Sequence, residues 1–252
     1  MRKIGVCGDL HLPFGDPVAV ELTMRLFKDY GVDEIVLNGD LLDMYGVNMH
    51  GPKHPDIIHT LEDELVQGRL FLETLRKEFP KAKIHYIFGN HEDRLERFIL
   101  KNTKVFHNIL RIEKQLMLEN LDISFQYYNS YYELVPSKLR VQHSPPSYAA
   151  NAASVSLKRK IDCTYIYGCT HRPDYACHTT STGEVIEAYM LGWLGNTQLT
   201  KESKRVFSFT KGHENWGKSA AVVDIFEDDE FEVQTFNIRN DRIIFRGKRF
   251  EI

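Results

Sequence analysis

Short apolar segments alternate with longer amphipathic segments through the first 100 residues, and this alternation constrains the fold more than any other feature of the sequence. The apolar segments have the length and composition of buried strands and cover residues 3–8, 34–39 and 83–89. The amphipathic segments carry apolar residues at helical spacing and cover residues 16–30, 57–79 and 92–100. Strands that alternate with helices predict an α/β fold with a largely parallel sheet and crossover helices.

The rest of the chain contains further predicted strands with less regularity. Residues 139–142 and 164–168 are predicted strands, with a helix over residues 148–160 between them. The last third predicts antiparallel strands, which cover residues 220–226, 231–238 and 242–250. Residues 109–118 favour a helix, and the tyrosine-rich residues 125–132 are compatible with a strand or a loop.

Composition and charge narrow the class of protein. Hydrophobic residues make up 42% of the 252 residues and charged residues 27%, which excludes a largely disordered chain. The net charge of −3 gives no general attraction to nucleic acid or to an anionic membrane. The longest uncharged apolar stretch, residues 188–200, is shorter than the roughly 20 residues of a membrane-spanning helix. We therefore expect a single domain over residues 1–252 that does not associate with a membrane.

The cysteines indicate a reducing compartment. They are few and irregularly spaced, they form no CxxC pair, and they lie at Cys7, Cys163, Cys169 and Cys177. Asp9 and His11 interrupt the first apolar segment before it reaches the length of a signal peptide. These features predict free thiols and a cytoplasmic protein, and they give no indication of the oligomeric state.

Polar side chains follow five of the predicted strands, at the point where each strand ends. The segments are Gly8-Asp9-Leu10-His11, Gly39-Asp40-Leu41-Leu42-Asp43, Gly89-Asn90-His91-Glu92, His143 and Gly168-Cys169-Thr170-His171. The carboxyl ends of parallel strands lie along one edge of a sheet, where ligands bind in open α/β folds. We therefore expect these side chains to meet at one edge of the structure.

Metal binding explains these residue types better than turn formation does. Carboxylate oxygen and imidazole nitrogen together suit Mn²⁺, Fe, Zn²⁺ or Ni²⁺. Asp9 and His11 are two residues apart at a strand end, so both side chains can point to one side. A pair of cations also needs a shared ligand, and the carboxylate of Asp40 can bridge them.

These segments resemble the motifs of the calcineurin-like metallophosphoesterases, which are D-x-H, GDxxD, GNH[DE], an isolated His and GHxH in this order. The GNHEDRLERF run and the segment after His143 also resemble small bacterial and phage-borne members of that family. The resemblance implies a four-layer α/β/β/α sandwich with two mixed β-sheets, in which the C-terminal strands complete the second sheet. It also implies two divalent metal ions, with Mn²⁺ favoured and Zn²⁺, Fe or Ni²⁺ as alternatives.

The resemblance further implies a role for each matching residue. The first metal would be held by Asp9, His11, Asp40 and His171, and the second by Asp40, Asn90 and His143. His91 would act as general acid beside the substrate phosphate, so that His91 and Asn90 are the predicted catalytic residues. Asp43 would orient a ligand such as His11, and Arg172 is a candidate phosphate contact.

One position departs from the family pattern. Cys169 stands where the first histidine of GHxH is expected to bind the second metal. A thiolate is a good ligand for Zn²⁺ and a poor one for Mg²⁺. Either Cys169 is a ligand, or the second site is open and weaker.

The predicted activity is phosphoester hydrolysis by in-line attack of a metal-bridging hydroxide. A phosphodiester, either a nucleotide or a nucleic acid, is the favoured substrate by analogy with the small bacterial and phage-borne relatives. A phosphomonoesterase, including a protein phosphatase, is the nearest alternative. A non-catalytic binding scaffold on the same fold is the alternative of another class.

Overall fold

Two mixed β-sheets form the centre of the fold in a computed structural model that describes residues 1–47, 60–159, 161–198 and 215–252. In chain order the strands are β1 (Arg2–Cys7), β2 (Glu34–Asn38), β3 (Lys83–Ile87), β4 (Ile123–Gln126), β5 (Tyr131–Val135), β6 (Leu139–Gln142), β7 (Thr164–Tyr167), β8 (Asp174–Thr179), β9 (Val185–Met190), β10 (Lys218–Ile225), β11 (Phe231–Arg239), β12 (Arg242–Phe245) and β13 (Lys248–Glu251). The α-helices are α1 (Pro17–Tyr30), α2 (Leu61–Glu78), α3 (Glu92–Asn102), α4 (His107–Leu110), α5 (Ile112–Gln115) and α6 (Ala152–Lys158).

The order of the strands follows the alternation in the sequence. The larger sheet has the order β13-β12-β11-β10-β1-β2-β3-β4, and the smaller has the order β5-β6-β7-β9-β8. Strands β1 to β4 are parallel neighbours, because α1 connects β1 to β2 and α2 connects β2 to β3. In the smaller sheet β6, β7 and β9 are parallel. The carboxyl ends of both parallel sets carry the polar segments of the sequence.

Three buried clusters define the layers. Val6 of β1 and Ile166 of β7 belong to one cluster, which fills the space between the two sheets. On the other face of the larger sheet, Ile35 of β2 packs in a second cluster with Leu26 of α1 and Leu72 of α2. The outer face of the smaller sheet packs against α6 in a third cluster, which includes Ala152, Ala153, Tyr165 and Met190. The predicted four-layer α/β/β/α sandwich is therefore confirmed.

The expected place of the C-terminal strands is wrong. Strand β10 pairs antiparallel with β1, and β11 to β13 continue outward from it, so all four extend the larger sheet. The edge of β1 that β2 leaves open offers unpaired backbone groups, and the buried, apolar β10 covers it. The smaller sheet is completed instead by β8 and β9. The sequence pattern does not predict this hairpin, because β8 is an exposed edge strand whose two faces differ little in apolar character.

Several predicted boundaries also differ. The helix expected over residues 109–118 is two short helices, because Arg111 has an extended backbone (φ −56°, ψ 134°). The strand expected over residues 242–250 is a hairpin that turns at Arg246 and Gly247, which both have positive φ. Helix α2 begins after the capping residue Thr60, and residues 57–59 of the predicted helix lie outside the described residues. The helix expected over residues 148–160 covers Ala152–Lys158, and residue 160 also lies outside.

Among the described helices, none combines the length and the apolar character that a membrane crossing requires.

Candidate metal centre

Five loops meet at the carboxyl ends of β1, β2, β3, β6 and β7. The backbone N–H of Asp9 donates to the carbonyl of Gly39 at 2.9 Å, which joins the loops after β1 and β2. The N–H of Cys169 donates to Asp9 Oδ2 at 3.0 Å, which joins the smaller sheet to the larger one. The candidate site therefore lies where the ends of both sheets converge, as the sequence predicts.

Several residues of these loops have a left-handed backbone conformation, which residues other than glycine rarely adopt. Positive φ angles between 49° and 66° occur at Asp9, His11, Asp40, Cys169 and His171. Such strained residues concentrate at functional sites, because the surrounding structure must hold them in place.

Two glycines allow the loops to approach closely. A Cβ on Gly39 would lie 2.3 Å from His143 Nδ1, and a Cβ on Gly89 would lie 2.1 Å from Asp40 Oδ1. Gly39 also has a φ of 78°. A side chain at either position would displace a candidate ligand, which explains the glycine before Asp40 and before Asn90.

The first cluster of ligand atoms is formed by Asp9, His11, Asp40 and His171, which are all buried. Nε2 of His171 lies 3.0 Å from Asp9 Oδ1 and 3.0 Å from Nε2 of His11. Nε2 of His11 lies 3.8 Å from Asp40 Oδ2. The four side chains thus place their ligand atoms around one small volume.

The second cluster shares Asp40 with the first. Asp40, His143 and Cys169 form it, and Nε2 of His143 lies 3.3 Å from Asp40 Oδ2. The amide oxygen of Asn90 lies 3.1 Å from His143 Nε2 and 3.0 Å from Cys169 Sγ. A carboxylate common to both clusters is the arrangement that a pair of cations requires.

The donor set fits divalent cations. Nδ1 of His11 donates to Asp43 Oδ1 at 3.1 Å, and Nδ1 of His143 donates to the carbonyl of Asn38 at 2.7 Å. Since both Nδ1 atoms are occupied, each Nε2 is directed into its cluster, with Asp40 Oδ2 at 3.8 Å from that of His11 and at 3.3 Å from that of His143. Metal-binding histidines are held in this way by a partner on the other ring nitrogen.

The charges point to the same conclusion. Burial acts to raise the pKa of Asp9 and of Asp40, but neighbouring imidazoles hold both pKa values below the ordinary range. Burial acts to lower the pKa of His11, but hydrogen bonds with Asp43 and Asp9 raise it to about 9. The carboxylates are therefore ionised and attract positive charge. When no metal is bound, the protonated imidazole of His11 supplies that charge.

His91 is not part of the two clusters that share Asp40, but it forms a third group of possible ligands with His11 and Asp43, whose ligand atoms lie within 4.8 Å of one another. Its Nδ1 donates to the backbone carbonyl of Asp43 at 2.6 Å, and its Nε2 lies 3.7 Å from Asp40 Oδ2. Burial lowers the pKa of His91 to about 4, so the ring is neutral near pH 7. The site therefore places a buried, neutral imidazole next to the carboxylate that the two clusters share.

Arg172 and its neighbours lie on the other side of the site. The guanidinium of Arg172 donates to the backbone carbonyl of Tyr148 at 2.7 Å.

His171 stacks on Trp193 with ring centroids 5.4 Å apart, and Trp216 contacts the same imidazole edge-on at 4.2 Å. The two tryptophans thus fix the imidazole plane of His171, a role that the sequence analysis did not assign.

Two further side chains of the site, one on α3 and one on α2, are not identified by the sequence motifs. Arg94 contacts His91, and it follows His91 at the i+3 spacing that places both on one side of a helix. Glu64 of α2 accepts hydrogen bonds from the backbone N–H groups of Met44 and Tyr45. Helical spacing could have identified Arg94, whereas no sequence signal connects Glu64 with the loop after Asp43.

Glu92 fixes the loop that carries Asp40. Its buried carboxylate accepts the backbone N–H groups of Asp40 and Leu42, both at 2.9 Å, and that of Gly89 at 2.7 Å. We expect Glu92→Ala to lower the free energy of unfolding by at least about 3 kcal/mol, because each buried donor left without an acceptor costs about 1–3 kcal/mol. Chemical denaturation of the metal-free protein measures this change.

The control for this variant is Glu73→Ala, which removes an exposed glutamate from α2 and should change stability by no more than about 0.5 kcal/mol. Equal stabilities of the two variants would contradict the role given to Glu92.

Comparison with known proteins agrees with the motifs. The family model described as Calcineurin-like phosphoesterase matches residues 2–247. A search of curated proteins finds no significant match. Among solved structures, Vps29 from Chaetomium thermophilum is 13% identical over 95% of this chain and 87% of its own, with a TM-score of 0.44. Vacuolar Protein Sorting 29 from Cryptosporidium parvum is 12% identical over 99% of this chain and 94% of its own, with a TM-score of 0.45. Because the family model matches nearly the whole sequence, this chain belongs to the calcineurin-like phosphoesterase family.

Proposed function

We propose that this protein is a phosphoester hydrolase that depends on two divalent metal ions. The observation that carries the proposal is the position of Asp40, whose carboxylate is common to two clusters of buried ligand atoms. Asp9, His11 and His171 complete the first site, and Asn90, His143 and Cys169 complete the second. When bound, such a pair of ions activates water and neutralises phosphoryl oxygens.

The residues around the ions have distinct tasks in this proposal. Asp43 holds two imidazoles at once, because its carboxylate accepts from His11 and its carbonyl accepts from His91. His91 keeps Nε2 toward the reacting phosphate and delivers a proton to the leaving oxygen. A negatively charged phosphate beside this ring favours the protonated imidazole that the step needs.

We favour a phosphodiester substrate, a nucleotide or nucleic acid, and a cytoplasmic location. Tyr148 supports a nucleotide: it is 55% exposed, and its backbone carbonyl accepts a hydrogen bond from Arg172, which follows His171 of the first cluster. Aromatic faces beside a phosphate site can stack on nucleobases. The four cysteines are all free, as expected in a reducing compartment.

The test is to reload metal-free protein with Mn²⁺, Zn²⁺, Ni²⁺ or Mg²⁺ and to assay three substrates with each ion. These are bis-p-nitrophenyl phosphate, p-nitrophenyl phosphate and single-stranded DNA. We expect the highest activity with Mn²⁺ and a preference for the diester substrates. Faster hydrolysis of the monoester would favour a phosphomonoesterase, and no activity with any pairing would favour a binding scaffold.

The proposed role of Cys169 gives a prediction that is independent of turnover. A thiolate bound to Co²⁺ produces sulfur-to-metal charge transfer in the near ultraviolet, since sulfur is a soft, readily oxidised ligand. We expect this absorption in the Co²⁺-loaded protein and its loss in Cys169→Ser. Cys177→Ser is the control, because Cys177 is exposed on the edge strand β8 and should leave the absorption unchanged.

Absence of the absorption in the Co²⁺-loaded parent protein would show that Cys169 is not a ligand and that the second site is open.

A further inference from the structure

Arg94 places a positive charge directly against His91. One guanidinium nitrogen, Nη2, lies 2.7 Å from His91 Nε2, and the other, Nη1, lies 2.9 Å from His91 Nδ1. Nη1 also donates to the backbone carbonyl of Asp43 at 3.1 Å. Arg94 is partly buried and lies in the first turn of α3, three residues after His91.

Arg94 lies close to both ring nitrogens of His91, but it can form a hydrogen bond with only one of them. The two nitrogens of an imidazole point away from each other, so one guanidinium cannot bond to both in the plane of the ring. Nδ1 of His91 is already the donor to the carbonyl of Asp43. Only Nε2 can therefore accept a hydrogen bond from Arg94, and Nε2 is the atom that is directed toward Asp40.

A phosphate would match this guanidinium in charge and in shape. Phosphoryl oxygens are anionic, and two of them fit the planar fork of an arginine. A phosphoryl oxygen bonded to His91 Nε2 would lie within reach of Arg94 Nη2, because these nitrogens are only 2.7 Å apart. The substrate phosphate would thus take over the hydrogen bond that Arg94 now gives to the imidazole.

We propose that Arg94 is a substrate-binding residue that recognises the non-bridging oxygens of the phosphoryl group. This inference rests on the proposed function and adds the group that recognises the substrate. Because the interaction is between charges, it is stronger for a dianionic phosphate, such as a monoester or the inorganic phosphate product, than for a monoanionic diester. Arg94 therefore adds more to the binding of a monoester than to the binding of a diester.

The test compares Arg94→Gln with Arg97→Gln. Arg97 lies one turn further along α3, is exposed and pairs with Asp93 at 2.7 Å, so its removal is a matched control. We expect Arg94→Gln to raise KM for p-nitrophenyl phosphate and the inhibition constant of inorganic phosphate by about 10–100-fold, as loss of a charge-assisted hydrogen bond does. The KM for bis-p-nitrophenyl phosphate should rise less, and kcat should change less than KM.

A structural role would give a different result. If Arg94 only positions His91, Arg94→Gln would lower kcat and leave the inhibition by phosphate unchanged, which would overturn the inference. Arg94→Lys is a second variant, which keeps the positive charge and removes the planar guanidinium. We expect its affinity for phosphate to lie between that of the parent protein and that of Arg94→Gln. Thermal unfolding of each variant confirms that it is folded.

Calorimetry separates this inference from the proposed function. Binding of inorganic phosphate to the Mn²⁺-loaded protein can be measured without turnover. Binding that is weakened by Arg94→Gln, in a protein that hydrolyses no substrate, would refute the proposed activity and support the role of Arg94. Hydrolysis together with phosphate binding that Arg94→Gln does not change would refute the role of Arg94 alone.

Discussion

Asp40→Asn is expected to abolish hydrolysis and to lower the metal content from two ions per chain to one or none. The substitution keeps the size of the side chain and an oxygen that can accept from the N–H of His91, a bond of 2.9 Å in the structure. It removes the charge that the two clusters share. Loss of a partner outside the ligand shell typically costs about 10–100-fold in metal affinity or activity, so loss of the shared ligand should cost more. Elemental analysis and turnover measure the two effects.

Asp224→Asn is the matched control for this experiment. Asp224 is also a buried aspartate, but it lies on β10, where it accepts from Tyr30 and Arg246. We expect this variant to keep both ions and most of its activity. If Asp40→Asn retained two ions and full turnover, Asp40 would not be a bridging ligand.

His91→Ala should have an effect of a different kind. We expect turnover to fall by about 10²–10⁴-fold, which is the usual contribution of a positioned general acid or base. The metal content should remain at the parental value, because His91 bonds to the carbonyl of Asp43 and is not a member of the two clusters that share Asp40, although it also forms a third group with His11 and Asp43. Parallel assays of turnover and metal content distinguish this residue from the ligands.

His85→Gln is the control, because His85 is buried in the middle of β3, bonds to Ser124 at 2.8 Å and stacks on Tyr132. It should keep both turnover and metal. An equal loss of metal and of activity in His91→Ala would assign His91 to the ligand shell.

The parts of the fold that could be predicted from sequence are those in which burial on one or two faces leaves a clear pattern. Strands β1, β2 and β3 are short and apolar, and the glycine and polar residues after them mark the edge at which they end. The hairpin of β8 and β9 left no such pattern, because one strand lies exposed at the edge of the sheet. The choice of sheet for β10 could not be predicted, since an apolar strand does not specify which open edge it covers.

The candidate site shows the same division. Residues suited to binding an ion are restricted to a few types, and here they follow strand ends in a fixed order, so the sequence predicts that Asp9, Asp40 and His171 lie together, as they do in the first cluster. Residues that act through the backbone are not restricted in this way. Glu64 holds the loop after Asp43 from a distant helix, and only the structure relates the two.

Anomalous scattering from crystals of the Mn²⁺-loaded protein would locate the ions themselves. We expect two peaks roughly 3.5–4 Å apart, the usual separation in binuclear sites. One peak should lie among Asp9, His11 and His171, the other between Asn90 and His143, and Asp40 should contact both. No peak at this edge of the sheets, or peaks only at other positions, would show that Asp40 does not join two metal ions.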